Sequence, residues 1–190
     1  MTDIIVVVDA QNGFCHPEGA AIKNKKTREE EMALGRIVVR IRNFLNEARA
    51  QGLPCTFLCA NFRLLYTNLR WDTQIHDELS PQKKELTFWR DNPDDDPFLF
   101  GLDDFLKKFS NPNIILCGFL SDCCVEHTAL MALKRKISVS FLLDCTYPPY
   151  HKKRKSFLSA AQKKPWSVDV SLIRFATSQN ILYKTTPVPD

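Results

Sequence analysis

The sequence lacks any apolar run long enough to cross a membrane, and its first residues do not predict a secretory leader. A transmembrane helix needs about 18 or more consecutive apolar residues, whereas the first apolar run covers only Ile4–Val8. The residues before that run, Met1-Thr2-Asp3, include no lysine or arginine, and a signal peptide begins with basic residues. We therefore expect a protein that has no membrane partner.

Motifs that bind nucleotide phosphates or zinc are missing as well. Neither G-x-G-x-x-G nor G-x-x-x-x-G-K-[S/T] occurs, which excludes the two common glycine-rich phosphate loops. The seven cysteines include no C-x-x-C pair and the four histidines are isolated, so the spacings do not suit a zinc site. We expect no metal ion and no cofactor. An odd number of cysteines without a disulfide framework indicates a reducing compartment, which predicts a cytoplasmic protein with free thiols.

Charge and length are those of an ordinary globular domain. The net charge of +4 comes from scattered lysines and two short basic clusters at 23–26 and 152–155. Such clusters are usually solvated, and a nucleic-acid surface needs aromatic or groove-reading partners that the pattern does not supply. We expect no nucleic-acid partner. A hydrophobic content of 44% over 190 residues can form one sizeable core, so we interpret residues 1–190 as a single domain.

Short β-branched apolar runs alternate with helical patterns along the chain. Runs that are apolar on both faces are typical of parallel strands covered by helices on both sides. Helices are predicted at 31–51, 102–109 and 121–136, and somewhere within 151–161 and within 167–178. The predicted strands are Ile4–Val8, Cys55–Cys59, Leu86–Trp89, Asn113–Cys117, Ile137–Leu143 and Ile181–Tyr183.

An acid stands at the point where parallel sheets bind ligands, beyond the carboxyl ends of the strands. Asp9 ends the first, fully apolar strand. Partial desolvation there raises the pKa of a carboxyl group and suits it to proton transfer. Taken alone, the same residue is more typical of a cap on the turn that follows, Gln11-Asn12-Gly13.

Two thiols stand at the matching position after the fourth strand. The segment Gly118–Glu126 reads as a turn that opens a helix, with Cys123 and Cys124 in its first turn. Unpaired amides and the positive end of the helix dipole favour a thiolate there. Cys124 is thus a candidate nucleophile, with Asp9 moving its proton and turn amides binding an oxyanion. Both cysteines are also consistent with small core residues, because free cysteine is often buried.

Three stretches carry a family resemblance: Val6–Phe14, Leu116–Val125 and Val139–Asp144. Together they resemble the isochorismatase-like cysteine hydrolases, a superfamily that includes nicotinamidases, N-carbamoylsarcosine amidohydrolase and maleamate amidohydrolases. The resemblance spans about residues 3–184 and weakens after Asp144. It implies a three-layer α/β sandwich with a mainly parallel sheet of roughly six strands, in the Rossmann-like order 3-2-1-4-5-6. Since members of the superfamily often form dimers or tetramers, we expect a homo-oligomer.

The resemblance also implies roles for particular residues. It implies an Asp–Lys–Cys triad in which Asp9 is the acid and Cys124, directly before Val125, is the nucleophile. The backbone N–H groups of Leu120 and Cys124 are implied as the oxyanion hole.

The triad lysine is the point at which this sequence departs from the family. The family places it at the end of the third strand, where this chain reads Leu86-Thr87-Phe88-Trp89-Arg90. Depending on the alignment, Phe88 or Arg90 takes the lysine position. Arginine can orient a carboxylate but does not easily lose a proton. We take Arg90 as the third catalytic residue.

The resemblance narrows the expected chemistry. Nicotinamidases carry an Asp-x-His metal motif after the second strand, which Asn61-Phe62-Arg63 does not match, and true isochorismatases lack the cysteine. We therefore predict a metal-independent cysteine hydrolase that cleaves a C–N bond of a small amide through a thioester. The candidate pocket residues are Phe14, Gln11, Trp89 and Phe98.

Two alternatives remain open. Because the lysine is replaced, the chain is also consistent with a catalytically weak or inactive member that binds a ligand or a protein. A thiol redox protein that uses Cys123 and Cys124 is the third possibility, disfavoured because adjacent cysteines close a strained disulfide.

Overall fold

The computed structural model describes residues 1–22, 27–61, 69–92, 95–147 and 169–184. The predicted helix within 151–161 and the two basic clusters lie outside the described residues, as do Phe62 and Arg63 of the segment compared with the metal motif.

Within the described residues the core of the fold is one sheet of six parallel strands: β1 (Thr2–Val8), β2 (Cys55–Ala60), β3 (Leu86–Arg90), β4 (Pro112–Phe119), β5 (Ser138–Tyr147) and β6 (Ile173–Ala176). Their order is β3-β2-β1-β4-β5-β6, as predicted. The strands β2 and β3 are added on one side of β1, and β4, β5 and β6 are added on its other side. The carboxyl ends of those two strands therefore form the crevice where such sheets hold ligands.

Helices pack around the sheet and complete the α/β fold. In the described residues they are α1 (Asn12–Cys15), α2 (Arg28–Ala50), α3 (Leu69–Asp72), α4 (Leu102–Leu106), α5 (Glu126–Lys134) and α6 (Ser178–Leu182). A π-helical turn, Ser121–Val125, leads from β4 into α5. None of the described helices is both long and apolar enough to traverse a bilayer.

The longest helix, α2, shows how the sequence specifies an element boundary. The Thr27 hydroxyl accepts a hydrogen bond from the Glu30 amide, and the Glu30 carboxylate accepts one from the Thr27 amide at 2.7 Å. This capping box satisfies two amides at the helix start, so α2 begins three residues before the predicted Glu31. Its apolar stripe packs on β5 and consists of Leu34, Ile37, Val38, Ile41, Phe44, Leu45 and Ala48.

The last strand and the last helix were predicted in the wrong order. The predicted helix at 167–178 contains β6 in its described part, and the predicted strand Ile181–Tyr183 lies mostly in α6. The reason is a second capping box, in which Thr177 and Asn180 exchange hydrogen bonds and start α6. Residues Ile173–Ala176 are then free to pair with β5, where Phe175 packs against Phe141 with ring centroids 5.6 Å apart.

Close approach of β1 and β4 requires glycine at the turn before the cysteines. Gly118 pairs with Val8 and has φ of 127°, a region that side chains disfavour. A Cβ atom added at Gly118 would lie 2.0 Å from the Val8 carbonyl oxygen. The two strand ends can therefore lie side by side only with glycine at this position.

We predict that Gly118→Ala lowers the free energy of unfolding by about 3 kcal/mol or more, because it adds backbone strain to a steric clash. Chemical denaturation of the purified variant measures the loss. The matched control is Gly35→Ala in α2, where nothing lies within 4 Å of the added Cβ. That change should stabilise the protein by about 0.5–1 kcal/mol through helix propensity. Equal effects at the two glycines would contradict the steric explanation.

Candidate active site

The ends of β1 and β3 are joined by a fully buried ion pair. Arg90 Nη2 donates a hydrogen bond to Asp9 Oδ2 at 2.8 Å, and both side chains are 0% exposed. The two residues belong to strands that are separated by β2. The β2 residue in register with Arg90 is Ala60, whose small side chain lets the long arginine cross the strand end.

This geometry distinguishes the two alignments considered for the lysine. Arg90 contacts Asp9, whereas Phe88 lies 6.0 Å from the Phe105 ring and close to where a Cβ on Gly101 would be. Arginine therefore supplies the positive charge beside the acid. Among the described residues no lysine forms an ion pair with Asp9.

Cys124 sits in the π-helical turn between β4 and α5. The turn is closed by the hydrogen bond from the Val125 amide to the Leu120 carbonyl at 3.2 Å. The Thr128 hydroxyl fixes the Cys124 carbonyl at 2.8 Å. Cys124 is 2% exposed, and its thiol lies close enough to Asp9 and Arg90 for the charges of both to affect its pKa. The structure thus places the three residues of the predicted triad near one another.

Two residues at this junction hold left-handed backbone conformations. Asp9 has φ of 50° at the end of β1, and Leu120 has φ of 48° at the end of β4. Such conformations cost roughly 1–3 kcal/mol each for residues other than glycine and cluster at functional sites. Among the described residues, no acceptor takes a hydrogen bond from the Leu120 amide. That N–H lies at the start of the turn that carries Cys124.

The protonation states at the site follow from burial and from these contacts. Burial raises the pKa of the Asp9 carboxyl above its ordinary value, and the charge of Arg90 opposes that rise. For Arg90, the attraction of Asp9 and Cys124 outweighs the effect of burial, so its pKa is raised and the guanidinium stays charged.

The surroundings of Cys124 do not favour its charged form. The adjacent Cys123 thiol, burial and the charge of Asp9 each raise the pKa of the Cys124 thiol, and the charge of Arg90 opposes them. These neighbours act against the helix terminus, on which the expectation of a thiolate at Cys124 rests.

The predicted pocket residues occupy different environments. Trp89 is 43% exposed and, one residue before Arg90 on the edge strand β3, points to the opposite face of the sheet. Gln11 is buried, and its amide is engaged by Ala60 at 2.7 and 2.8 Å and by the Thr73 carbonyl at 2.9 Å. Gln11 thus braces the end of β2 and does not offer its amide to a substrate.

The two predicted phenylalanines are almost fully buried. Phe14 lies in α1, and Phe98 lies under the guanidinium of Arg135, which is 4.6 Å from the ring centroid. Arg135 also pairs with Asp96 at 2.9 Å and so fastens the segment after β3 to the end of α5. No local sequence pattern indicated this contact, because its partners are 39 residues apart.

We predict that Arg90→Met lowers the free energy of unfolding at pH 7 by about 3–5 kcal/mol, because it leaves the Asp9 carboxyl buried without its cation. Adding Asp9→Asn should recover most of that loss. The matched control is Arg42→Met, which breaks an exposed pair with Glu78 and should cost at most about 1 kcal/mol. Urea denaturation measures the free energy of unfolding of wild type, the two single variants and the double variant. Similar losses for Arg90→Met and Arg42→Met would contradict a buried pair.

Comparison with known proteins agrees with this fold. A profile of the isochorismatase domain family matches residues 3–164. An isochorismatase-like hydrolase from Alkaliphilus metalliredigens shares 18% identity and a TM-score of 0.75, over 97% of this chain and 99% of that structure. A cysteine hydrolase from Pseudomonas syringae pv. phaseolicola shares 20% identity and a TM-score of 0.73, over 96% of this chain and 91% of that structure.

A third similar structure is N-carbamoylsarcosine amidase from Thermoplasma acidophilum, with 21% identity and a TM-score of 0.69 over 94% of this chain and 97% of that structure. No curated protein matches the sequence. At these identities the solved structures share the fold, and the family profile covers most of the chain. The chain belongs to the isochorismatase domain family.

Proposed function

We propose that this protein is a metal-independent cysteine hydrolase that cleaves the C–N bond of a small amide through a thioester. The observation that carries the proposal is the burial of Cys124 near the ion pair of Asp9 and Arg90 at the carboxyl ends of the strands. A nucleophile beside a carboxylate and a fixed cation provides the components that covalent acyl transfer requires.

Cys124 and Asp9 divide the covalent step between them. The Cys124 thiol is neutral at rest, so its proton passes to the Asp9 carboxylate as the sulfur attacks the carbonyl carbon. Asp9 then returns the proton to the nitrogen as the C–N bond breaks and ammonia or an amine leaves. Water attacks the resulting thioester, with Asp9 again accepting a proton, and the acid product leaves as Cys124 regains its hydrogen.

The oxyanion formed in both steps needs hydrogen-bond donors at the turn. The Leu120 amide, which has no acceptor among the described residues, suits this role, and we assign the Cys124 amide as the second donor. Loss of one such donor typically slows catalysis about 100- to 1,000-fold. The strained conformation of Leu120 points to the same function, because it sets the direction of the turn amides.

Arg90 gives this chain a different version of the family's triad. An arginine keeps its proton throughout, so it cannot relay one. Its fixed charge keeps Asp9 more acidic than burial alone would, and it faces the sulfur at which negative charge develops. Two side chains, those of Cys124 and Asp9, therefore carry the proton. We assign Arg90 to positioning and charge stabilisation.

An amide is the substrate class that the relatives favour. One similar structure is an amidase for N-carbamoylsarcosine and another is named a cysteine hydrolase. The prediction that no metal takes part stays a prediction. The alternative, a member that binds a ligand or protein without turnover, rests on the same arginine, and the amide screen below separates the two.

We expect wild-type protein to release ammonia or amine from at least one compound in a panel of small amides, ureides and carbamoyl compounds. Cys124→Ala should abolish this turnover, because the nucleophile is lost. Cys123→Ala is the matched control and should retain turnover. Ligand binding without product would support the alternative, and activity that survives Cys124→Ala would exclude the thioester route.

We predict that kcat/KM falls as the pH decreases, with a midpoint above the ordinary carboxyl value of 3.8. The sign follows because Asp9 must be ionised to accept the thiol proton, and burial raises its pKa. Arg90→Met should move this acidic limb to higher pH, because the opposing charge is gone, whereas Arg90→Lys should leave it near the wild-type position. If the midpoint of the acidic limb is the same in wild type and Arg90→Met, Asp9 is not the group that accepts the thiol proton.

A further inference from the structure

Two histidines from segments far apart in the chain lie close to each other. His16 follows α1, and His76 directly precedes the 3₁₀ turn Asp77–Leu79. Their ring centroids are 6.2 Å apart, and the Trp71 ring packs on His16 in an edge-to-face arrangement at 5.0 Å. Both histidines are half-buried. We call them the histidine pair, and the proposed mechanism uses neither of them.

Both rings of the histidine pair accept a backbone hydrogen bond at the same nitrogen. The Glu18 amide donates to His16 Nδ1 at 3.1 Å, and the Glu78 amide donates to His76 Nδ1 at 3.3 Å. For His76 this bond also caps the turn Asp77–Leu79. A ring nitrogen accepts a hydrogen bond only while it carries no proton, so this arrangement requires neutral rings with hydrogen on Nε2. A proton at Nδ1 therefore removes the acceptor of one backbone amide at each ring.

Backbone hydrogen bonds join the segment before His76 to the end of β1. The His76 amide donates to the Ala10 carbonyl, and the Asn12 amide donates to the Gln74 carbonyl, both at 2.8 Å. Ala10 directly follows Asp9, which holds its left-handed conformation at this point. The histidine pair therefore lies at a junction that supports the strand end carrying the proposed acid.

We propose that the histidine pair is an acid-sensitive link, and that protonation of its rings releases residues 73–76 from the connection between β1 and α1. Protons from solvent bind at the two Nδ1 atoms, and the Glu18 and Glu78 amides lose their acceptors. Two rings of like charge then have centroids 6.2 Å apart and repel each other. Both effects favour separation of the two segments.

The surroundings of His76 keep its ring neutral near pH 7. Burial lowers the pKa of His76 below its ordinary value of 6.5, and a charge on His16 acts in the same direction. The carboxylates of Glu78 and Asp77 oppose the decrease without cancelling it. The link is therefore intact at neutral pH and responds to acid.

Other charged groups on the elements around the pair compensate a protonated pair only in part. Glu78 is itself paired with Arg42 of α2 at 2.7 Å. In α3, the Asp72 carboxylate accepts a hydrogen bond from the Ala20 amide at 3.1 Å. Two of the nearby carboxylates are therefore already engaged. The same segments also carry two exposed charged residues, Glu18 and Arg70.

Acid would affect the proposed active site through this junction. Loss of the hydrogen bond between the His76 amide and the Ala10 carbonyl frees the residue next to Asp9. The left-handed conformation of Asp9 persists only where its surroundings hold it. This consequence for turnover rests on the proposed function, whereas the acid-sensitive link itself does not.

Asparagine variants separate the hydrogen bond from the titration, because the amide oxygen accepts a hydrogen bond at every pH and caps turns well. The test compares wild type with the double variant His16→Asn/His76→Asn, and with His76→Ala, which removes the acceptor of the Glu78 amide. The matched control is His127→Asn, because the His127 ring contacts the Asp95 carbonyl outside the pair.

Hydrogen exchange at about pH 7.5 and about pH 5 measures the release directly. In wild type and in His127→Asn, the protection factors of the amides of residues 12 and 76 should fall about ten-fold or more in acid, beyond any change in β4. The double variant should keep its protection, and His76→Ala should have lost it at both pH values. Equal acid sensitivity in wild type and the double variant, or a uniform loss across the sheet, would overturn the proposal.

Two further measurements test the charges. The ring resonances of His76 should titrate with a midpoint below 6.5, and that midpoint should rise in the single variant His16→Asn, which removes the neighbouring charge. Below pH 6.5 the unfolded chain binds this proton more readily than the folded protein, so the free energy of unfolding of wild type should decrease as the pH falls, more steeply than that of the double variant. An unchanged midpoint or equal slopes would contradict a coupled pair.

Failure of this proposal and failure of the proposed function can be told apart. Hydrogen exchange and ring titration need no substrate, so they test the link even if no amide is cleaved. Where an amide substrate is found, the double variant should keep its turnover to lower pH than wild type. Release of residues 73–76 with identical pH profiles of turnover would overturn the claim that the link acts on the proposed active site.

Discussion

The buried ion pair between Arg90 and Asp9 is the interaction on which the candidate site at the carboxyl edge of the sheet depends. Two opposite charges with no exposure are stable only when they neutralise each other, because desolvation of either ion alone is far more costly than any surface contact can offset. The pair joins strands on both sides of β2. It thereby holds a buried acid near the buried thiol of Cys124.

That arrangement depends on strand ends that are distorted in matching ways. Asp9 and Leu120 leave neighbouring strands in the left-handed region, and Gly118 admits the close approach that places them side by side. Backbone strain of this kind persists only where the surrounding structure holds it. Here the buried residues Ile4–Val8 of β1, the sheet hydrogen bonds and the π-helical turn provide that support.

Under the proposed function, an arginine beside the acid changes the chemistry that one expects of the family. A lysine can give up its proton when it is buried, and an arginine cannot. In the proposed mechanism Asp9 and the thiol carry the proton, and the cation serves as a fixed charge.

The sequence by itself determined the sheet, its strands up to β5, and the candidate roles of Asp9 and Cys124, because apolar runs and residues at strand ends are local signals. It failed at the C-terminus, where a capping box between Thr177 and Asn180 outweighs an apolar run. Tertiary structure alone decided that Arg90 reaches Asp9 and that Gln11 braces β2. These outcomes depend on burial and on contacts between residues 49 to 81 positions apart, which no local pattern can encode.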